Sequence, residues 1–226
     1  MSRCLYIILS ICTSITLFTS CTTEKIEAES LALGLEYFPI INGDRAYYEI
    51  EEVALTSLGQ DTTTYTRIDS IFDVELTGAE EEESLFAQVQ SYSSNTALDL
   101  DGTSKIYSIT LNRTQLIRNE DDRVFIDMIL PLTEENIHDE LAIQIGEEER
   151  LLEVSNLGQD FEIEDTVYTD CVVIEAESVS NAINQFQYTR VYQKGVGLVY
   201  FRFLDVSQQP GQSPIGADLR QQRIAR

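Results

Sequence analysis

From Tyr37 onward the chain alternates apolar and polar residues with a period of two, in short runs cut by glycine, asparagine and acid clusters. A period of two places successive side chains on opposite faces of an extended chain, so it selects strands over helices. Ile68, Ser70, Phe72, Val74 and Leu76 set against Asp69, Asp73 and Glu75 form the cleanest such run. Ala46, Tyr48 and Ile50 follow an Asn42-Gly43 turn signal, and Leu85, Ala87 and Val89 follow Gly78 and a glutamate run. Lys105 to Leu111, Thr114 to Arg118 and Val124 to Leu130 are further strands, with Asp121-Asp122 turning the last pair. Asp165 to Glu177, Gln185 to Lys194 and Gly197 to Leu204 are rich in β-branched and aromatic residues. Asn181 to Asn184 turns the first two of these, and Gly195 and Gly197 supply the backbone freedom for a tight reversal between the last two. No repeat of fixed period is visible. The expectation is a mainly β fold: an antiparallel curved sheet or partly open barrel with at most one or two short helices.

Leu132 to Leu152 is ambiguous. Ile137, Leu141 and Ile145 recur every four residues, while Leu141, Ile143 and Ile145 alternate at two. One helical turn near Thr133 to Asp139 followed by a hairpin accommodates both patterns. The sole histidine, His138, has polar neighbours, which predicts exposure, and one histidine cannot make a zinc site alone. Gln208 to Arg226 carries two prolines, two glycines and many glutamines and reads as a fraying tail.

The start of the chain addresses a compartment. Arg3 precedes a mostly apolar run from Leu5 to Phe18, then Thr19, Ser20 and Cys21. A basic start, a short apolar core and small residues before a cleavage point describe a secretory signal. The run is too short, and too interrupted by Ser10, Thr13, Ser14 and Thr16, for a membrane span. A cysteine directly after two small residues looks like a lipobox, whose cysteine thiol receives the lipid and becomes the first residue after cleavage. Cys21 is therefore the predicted lipid-attachment site. The domain reading is a signal peptide over 1–20, a lipidated tether over 21–36, one β-rich domain over 37–206 and a flexible tail over 207–226.

Processing at Cys21 leaves Cys171 as the one free thiol, within the apolar run Asp170 to Ile174. No histidine or basic residue stands beside it to favour thiolate, so a core role is expected over a nucleophilic one. The processed chain keeps fourteen basic and thirty-nine acidic residues, a net charge of −25. That charge repels phosphate backbones and anionic lipid heads, which excludes nucleic-acid binding. The acid runs Glu80 to Glu83, Glu120 to Asp122 and Glu147 to Glu149 read as solvated hairpin tips. Asp99-Leu100-Asp101-Gly102 lacks the remaining acids of a calcium loop and reads as a turn.

Three stretches resemble a group of uncharacterised outer-membrane lipoproteins of Bacteroidota. They are Tyr37-Phe38-Pro39-Ile40 with Gly43 and Tyr47-Tyr48, then Ile129-Leu130-Pro131-Leu132, then Tyr192 through Tyr200 with its Gly-Val-Gly-Leu-Val core. The resemblance implies a lipid-anchored, mostly β protein of the outer membrane, facing the periplasm or the cell exterior, and carries over no catalytic residue.

Motif reading points to a binding or structural module: the chain has no HExxH, no GxSxG and no glycine-rich phosphate loop. A carrier of a lipid or other apolar ligand is the alternative, with Tyr188, Tyr192, Tyr200, Phe201 and Phe203 as candidate lining of a sheet cavity. A hydrolase using two facing carboxylates ranks below both. No catalytic residue, cofactor or metal is assigned. The partners expected are the membrane through the N-terminal lipid, and an envelope protein or apolar ligand.

If Cys21 is the acylated residue, Cys21→Ala leaves an uncleaved or soluble precursor. Membrane fractionation with radiolabelled palmitate checks it; a mutant that stays lipid-labelled in the membrane fraction would refute the assignment.

Overall fold

The computed structural model describes residues 34–78, 83–94 and 102–224. These residues form one antiparallel sheet of thirteen strands, closed almost completely into a barrel. The strands are β1 Arg45–Thr56, β2 Gly59–Thr77, β3 Ser84–Ser94, β4 Thr103–Leu111, β5 Gln115–Glu120, β6 Arg123–Ile129, β7 Ile137–Asp139, β8 Leu151–Ile163, β9 Thr166–Ala176, β10 Val179–Ser180, β11 Asn184–Gln193, β12 Gly197–Ser207 and β13 Ile215–Arg223. Around the barrel they run β6-β5-β4-β3-β2-β1-β13-β12-β11-β9-β8-β7, with β10 appended to β11. Pairing is mostly between consecutive strands, as short turns favour.

The turns follow from their residues. Asp121 and Asp122 both have positive φ, 51° and 62°, and join β5 to β6 in a two-residue hairpin. Such hairpins need left-handed backbone, which Asp tolerates better than most residues. Asn181 accepts hydrogen bonds from the Ile183 and Asn184 amides at 2.8 Å each, forming the turn before β11. Curvature comes from bulges. β2 slips register between Phe72 and Glu75, where Asp73 has φ 50°, and β8 slips three times against β9. Each bulge adds twist and bends its strand, which a closing sheet requires.

Closure fails at one place. Between β6 and β7 there is no continuous ladder. A single backbone bond, Ile126 N to Glu140 O at 3.0 Å, crosses the seam. Side chains make most of the other crossings: His138 Nε2 lies 3.0 Å from Ile126 O, Gln144 Nε2 donates to Val124 O at 3.0 Å, and Asn136 Nδ2 donates to Pro131 O at 2.7 Å.

The main apolar core gathers Leu130, Leu132, Leu152, Val154, Val172 and Ile174, and Tyr37 and Phe38 seal it at one end of the barrel. The Phe38 and Tyr192 rings meet edge to face at 4.8 Å. Gly195 N donates to Glu36 O at 2.7 Å, and Tyr37 donates to Asp170 Oδ1 at 2.8 Å. The stretches at Tyr37–Ile40, Ile129–Leu132 and Tyr192–Tyr200 therefore converge on one end. A second core lies on the outer face, where the bent β8–β9 hairpin lays Phe161, Ile163 and Tyr168 over Val191, Val199 and Tyr200. Cys171 belongs to it, fully buried and with its thiol pushed up to about 11 by burial, as expected of a core cysteine.

Four expectations are corrected. No helical turn forms over 133–139. Ile137–Asp139 pairs with β8 instead, so the hairpin forms with its first strand earlier than the 141–145 alternation suggests, and the chain turns at the buried Glu140 into a loop over 140–150. His138 is half-buried, held by its bond across the seam. The tail over 207–226 is not a tail: β13 fills the gap between β1 and β12, and without it the barrel would have two more open edges. Its apolar signal is weak because Asp218 and Gln221, not aliphatic residues, are its buried positions. Finally, the fold begins no later than Gly34, inside the region assigned to the tether, where an added Cβ would meet Leu132 Cδ1 at 2.5 Å.

Gly195 and Gly197 flank the β11–β12 turn with φ 70° and 91°. Neither site would meet a side chain closer than 3.7 Å, so backbone strain decides the cost of substitution. Gly195→Val and Gly197→Val are each expected to destabilise the domain by about 1 kcal/mol or more. Thermal denaturation checks this, and unchanged melting of both variants would contradict it.

Candidate functional site

The barrel interior is not solid. A cavity of about 660 Å³ runs between the sealed end and the walls of β1 to β6 and β11 to β13. That volume falls within the range of small-molecule sites, roughly 300–1,000 Å³. Phe38, Ile71, Val89, Tyr192, Leu198 and Phe201 give it apolar surface. Four of the five aromatic residues singled out from the sequence line it: Tyr188, Tyr192, Phe201 and Phe203. Tyr200 does not; it sits in the outer core, because adjacent residues of a strand face opposite ways and Phe201 faces in.

Charge inside the barrel is the feature that sequence reading missed. On β2 the apolar residues Ile68 and Phe72 lie on the outer side of the wall, and Tyr65, Arg67, Asp69 and Ile71 line the cavity. Asp69 is the buried residue of the strand. Period-two alternation marks two faces without saying which one is inside. The only available signal was the positioning of arginines within apolar strands: Arg118, Arg190 and Arg223 each stand among β residues.

Beside the seam, five charged side chains and Tyr188 form a largely buried cluster. Arg190 on β11 donates from Nη1 to Asp127 Oδ1 at 2.6 Å and from Nη2 to Glu140 Oε1 at 2.8 Å. Arg118 Nε on β5 donates to Asp127 Oδ2 at 3.1 Å, and Arg150 Nη1 donates to Glu140 Oε2 at 2.7 Å. Tyr188 donates to Glu140 Oε1 at 2.6 Å. Arg118 also contacts Glu120, and Arg150 lies over the Tyr188 ring at 5.0 Å. Asp127 and Arg190 are each 6% exposed and Glu140 1%. Burial alone would raise the Asp127 carboxyl, but the Arg118 and Arg190 guanidiniums outweigh it and hold the group below its ordinary value. Asp127 is therefore a fixed anion at neutral pH and not a proton donor. The cluster's chemistry is structural.

The opposite wall is less fully paired. Arg67 Nη2 meets Asp69 Oδ2 at 3.1 Å, Tyr107 donates to the same oxygen at 3.3 Å, and the Arg67 guanidinium lies over the Tyr48 ring at 5.1 Å. Arg67 Nε, Asp69 Oδ1 and Gln221 Nε2 are buried without a protein partner. Burial raises Tyr48 to about 12 and Tyr107 well above the ordinary phenol, so both stay protonated. Nothing here supplies a nucleophile with a general base: the sole histidine lies at the seam, and burial lowers its pKa. Among the described residues no group of three or more His, Cys, Asp or Glu is placed to hold a metal ion. Cys21 and the Asp99–Asp101 turn lie outside the described residues, as do Glu80 to Glu82.

The chain matches no protein-family model, no curated protein and no solved structure. No helix among the described residues is long and apolar enough to cross a membrane, which leaves strand-crossing barrels unaddressed.

Arg190→Leu removes a guanidinium from two buried carboxylates at once. It is expected to cost about 3–5 kcal/mol in urea denaturation at neutral pH. The lowered Asp127 pKa gives stability that is present above the ordinary carboxyl value, about pH 4, and is lost as pH falls through the folded value. The stability gap between wild type and Asp127→Asn should therefore narrow below about pH 4. A gap that stays constant down to acid unfolding would contradict that placement of the charge.

Proposed function

We propose that this protein is a lipid-anchored module of the bacterial cell envelope that binds a small molecule inside its barrel. The observation that carries the reading is the cavity of about 660 Å³, walled by Phe38, Tyr192, Leu198 and Phe201 on one side and by hydrogen-bonding side chains on the other. A core whose purpose was stability alone would be filled to crystal-like density, because empty space forfeits dispersion contacts. The lipobox at Cys21 and the resemblance to Bacteroidota outer-membrane lipoproteins support an anchor in the outer membrane. The carboxylates at the cavity are engaged by arginines, at Asp69, Asp127 and Glu140, which favours binding over hydrolysis. The apolar-carrier alternative is favoured in part by the same aromatic wall, but the cavity's charged lining makes a wholly apolar cargo a poor fit.

The test is uptake of Nile red, a neutral dye whose emission shifts to the blue in apolar surroundings. Wild type is expected to bind it, and Ile71→Trp, which places a large ring in the cavity, is expected to lose most of that binding while retaining a cooperative melt. No dye binding by wild type, or equal binding by the folded variant, would remove the reading.

A further inference from the structure

The distribution of charge between the cavity and the rest of the chain narrows the ligand class. The protein has fifteen basic and thirty-nine acidic residues. Eight of the basic residues line the cavity, against five of the acidic ones, a surplus of three positive charges. Arg45, Lys105 and Arg123 are exposed at its rim, with Asp44, so the buried and half-buried lining holds five cations against four acids, a surplus of one. Asp121 and Glu147 pair with the rim cations Lys105 and Arg123, and acids farther out are screened over about 8 Å at physiological ionic strength, so a ligand inside responds to the buried lining charges.

Buried donors point the same way. Gln221 is 2% exposed, lines the cavity from β13, and its Nε2 has no protein partner. Arg67 lines it from β2 with Nε also unpartnered. The two strands flank β1, so Gln221 stands across Ile50 from Tyr65, and Arg67 stands beside Tyr48. Buried N–H groups without partners are costly, and a ligand acceptor placed against them recovers that cost. Asp69 takes up part of the Arg67 charge through Oδ2. Arg67 keeps Nε for a bound head, within a buried lining whose surplus is one cation.

Resting on the small-molecule reading above, we propose that the occupant is an amphiphile with one acidic head, held by Arg67 and Gln221, and an apolar body packed on Phe38, Tyr192, Leu198 and Phe201. Fatty acids and alkyl phosphates share this chemistry. Charge-assisted hydrogen bonds to the head set the preference, and the aromatic wall sets the affinity common to all chains of equal length.

Displacement of Nile red from the full-length processed protein tests it, using decanoate, decyl phosphate, decanol and decyltrimethylammonium as competitors of matched tail. Decanoate or decyl phosphate is expected to bind at least about tenfold more tightly than decanol, and the cation most weakly. The stronger of the two acids tells carboxylate from phosphate. Arg67→Gln is expected to abolish the acid preference while leaving decanol affinity in place. Gln221→Leu, which breaks no ion pair, is expected to reduce the preference several-fold and covers the case in which Arg67→Gln does not fold. Nile red binding with equal affinity for acid and alcohol overturns the acidic-head proposal and leaves the binding barrel standing. Failure of wild type to bind Nile red overturns both.

Discussion

Arg190 ties the barrel's one seam from the inside. The sheet has a ladder everywhere except between β6 and β7, where one backbone bond crosses. Arg190 projects from β11 through the interior and holds Asp127 of β6 with one nitrogen and Glu140, just past β7, with the other. One guanidinium thus joins the two lips of the seam from inside. Its planar fork suits two carboxylates at fixed separation, which a lysine ammonium would not do. The dry surroundings strengthen each bond and make each unpaired alternative costly.

The same choice shapes the cavity. A barrel closed by ions must keep charged groups inside, and these need space, partners and hydrogen bonds of their own. Arg118 and Arg150 supply the partners at the seam. Around the other wall Arg67, Asp69, Tyr107 and Gln221 continue the polar lining but leave three atoms unpartnered. The apolar core is displaced to one end, under Tyr37 and Phe38, and to the outer face beneath the β8–β9 hairpin. The cavity occupies what remains. Bulges in β8 make the outer core possible: they turn the hairpin back until Tyr168 reaches Arg223 O and Gln222.

Much of the fold was legible in the residues. The antiparallel β class, most strands, the Asp121-Asp122 turn, the Asn181 turn and the Gly195 and Gly197 reversal all follow from period-two alternation and left-handed backbone needs. The segment over 133–145 was misread because period four and period two coexist there, and the deciding force is the pull of Glu140 toward Arg190, fifty residues away. β13 is hard to read because its buried positions, Asp218 on the outer face and Gln221 on the inner, are polar residues that become strand-like only between two formed neighbours. The candidate site was legible only by half: four cavity aromatics were named in advance, and no charged residue was.

By itself the sequence determined the secondary-structure class and the turns, because these depend on local backbone preference and on the spacing of apolar residues along one strand. It also carried the signal-like start that ends at Cys21. Tertiary structure alone decided which face of each strand is inside, since alternation is symmetric between its two faces until the sheet curves. It alone brought Asp127, Glu140 and Arg190 together, and it alone turned five arginines of an acidic chain toward one cavity. Coulomb attraction between residues far apart in the chain has no periodicity to read, and takes effect only when closure brings the charges within bonding distance.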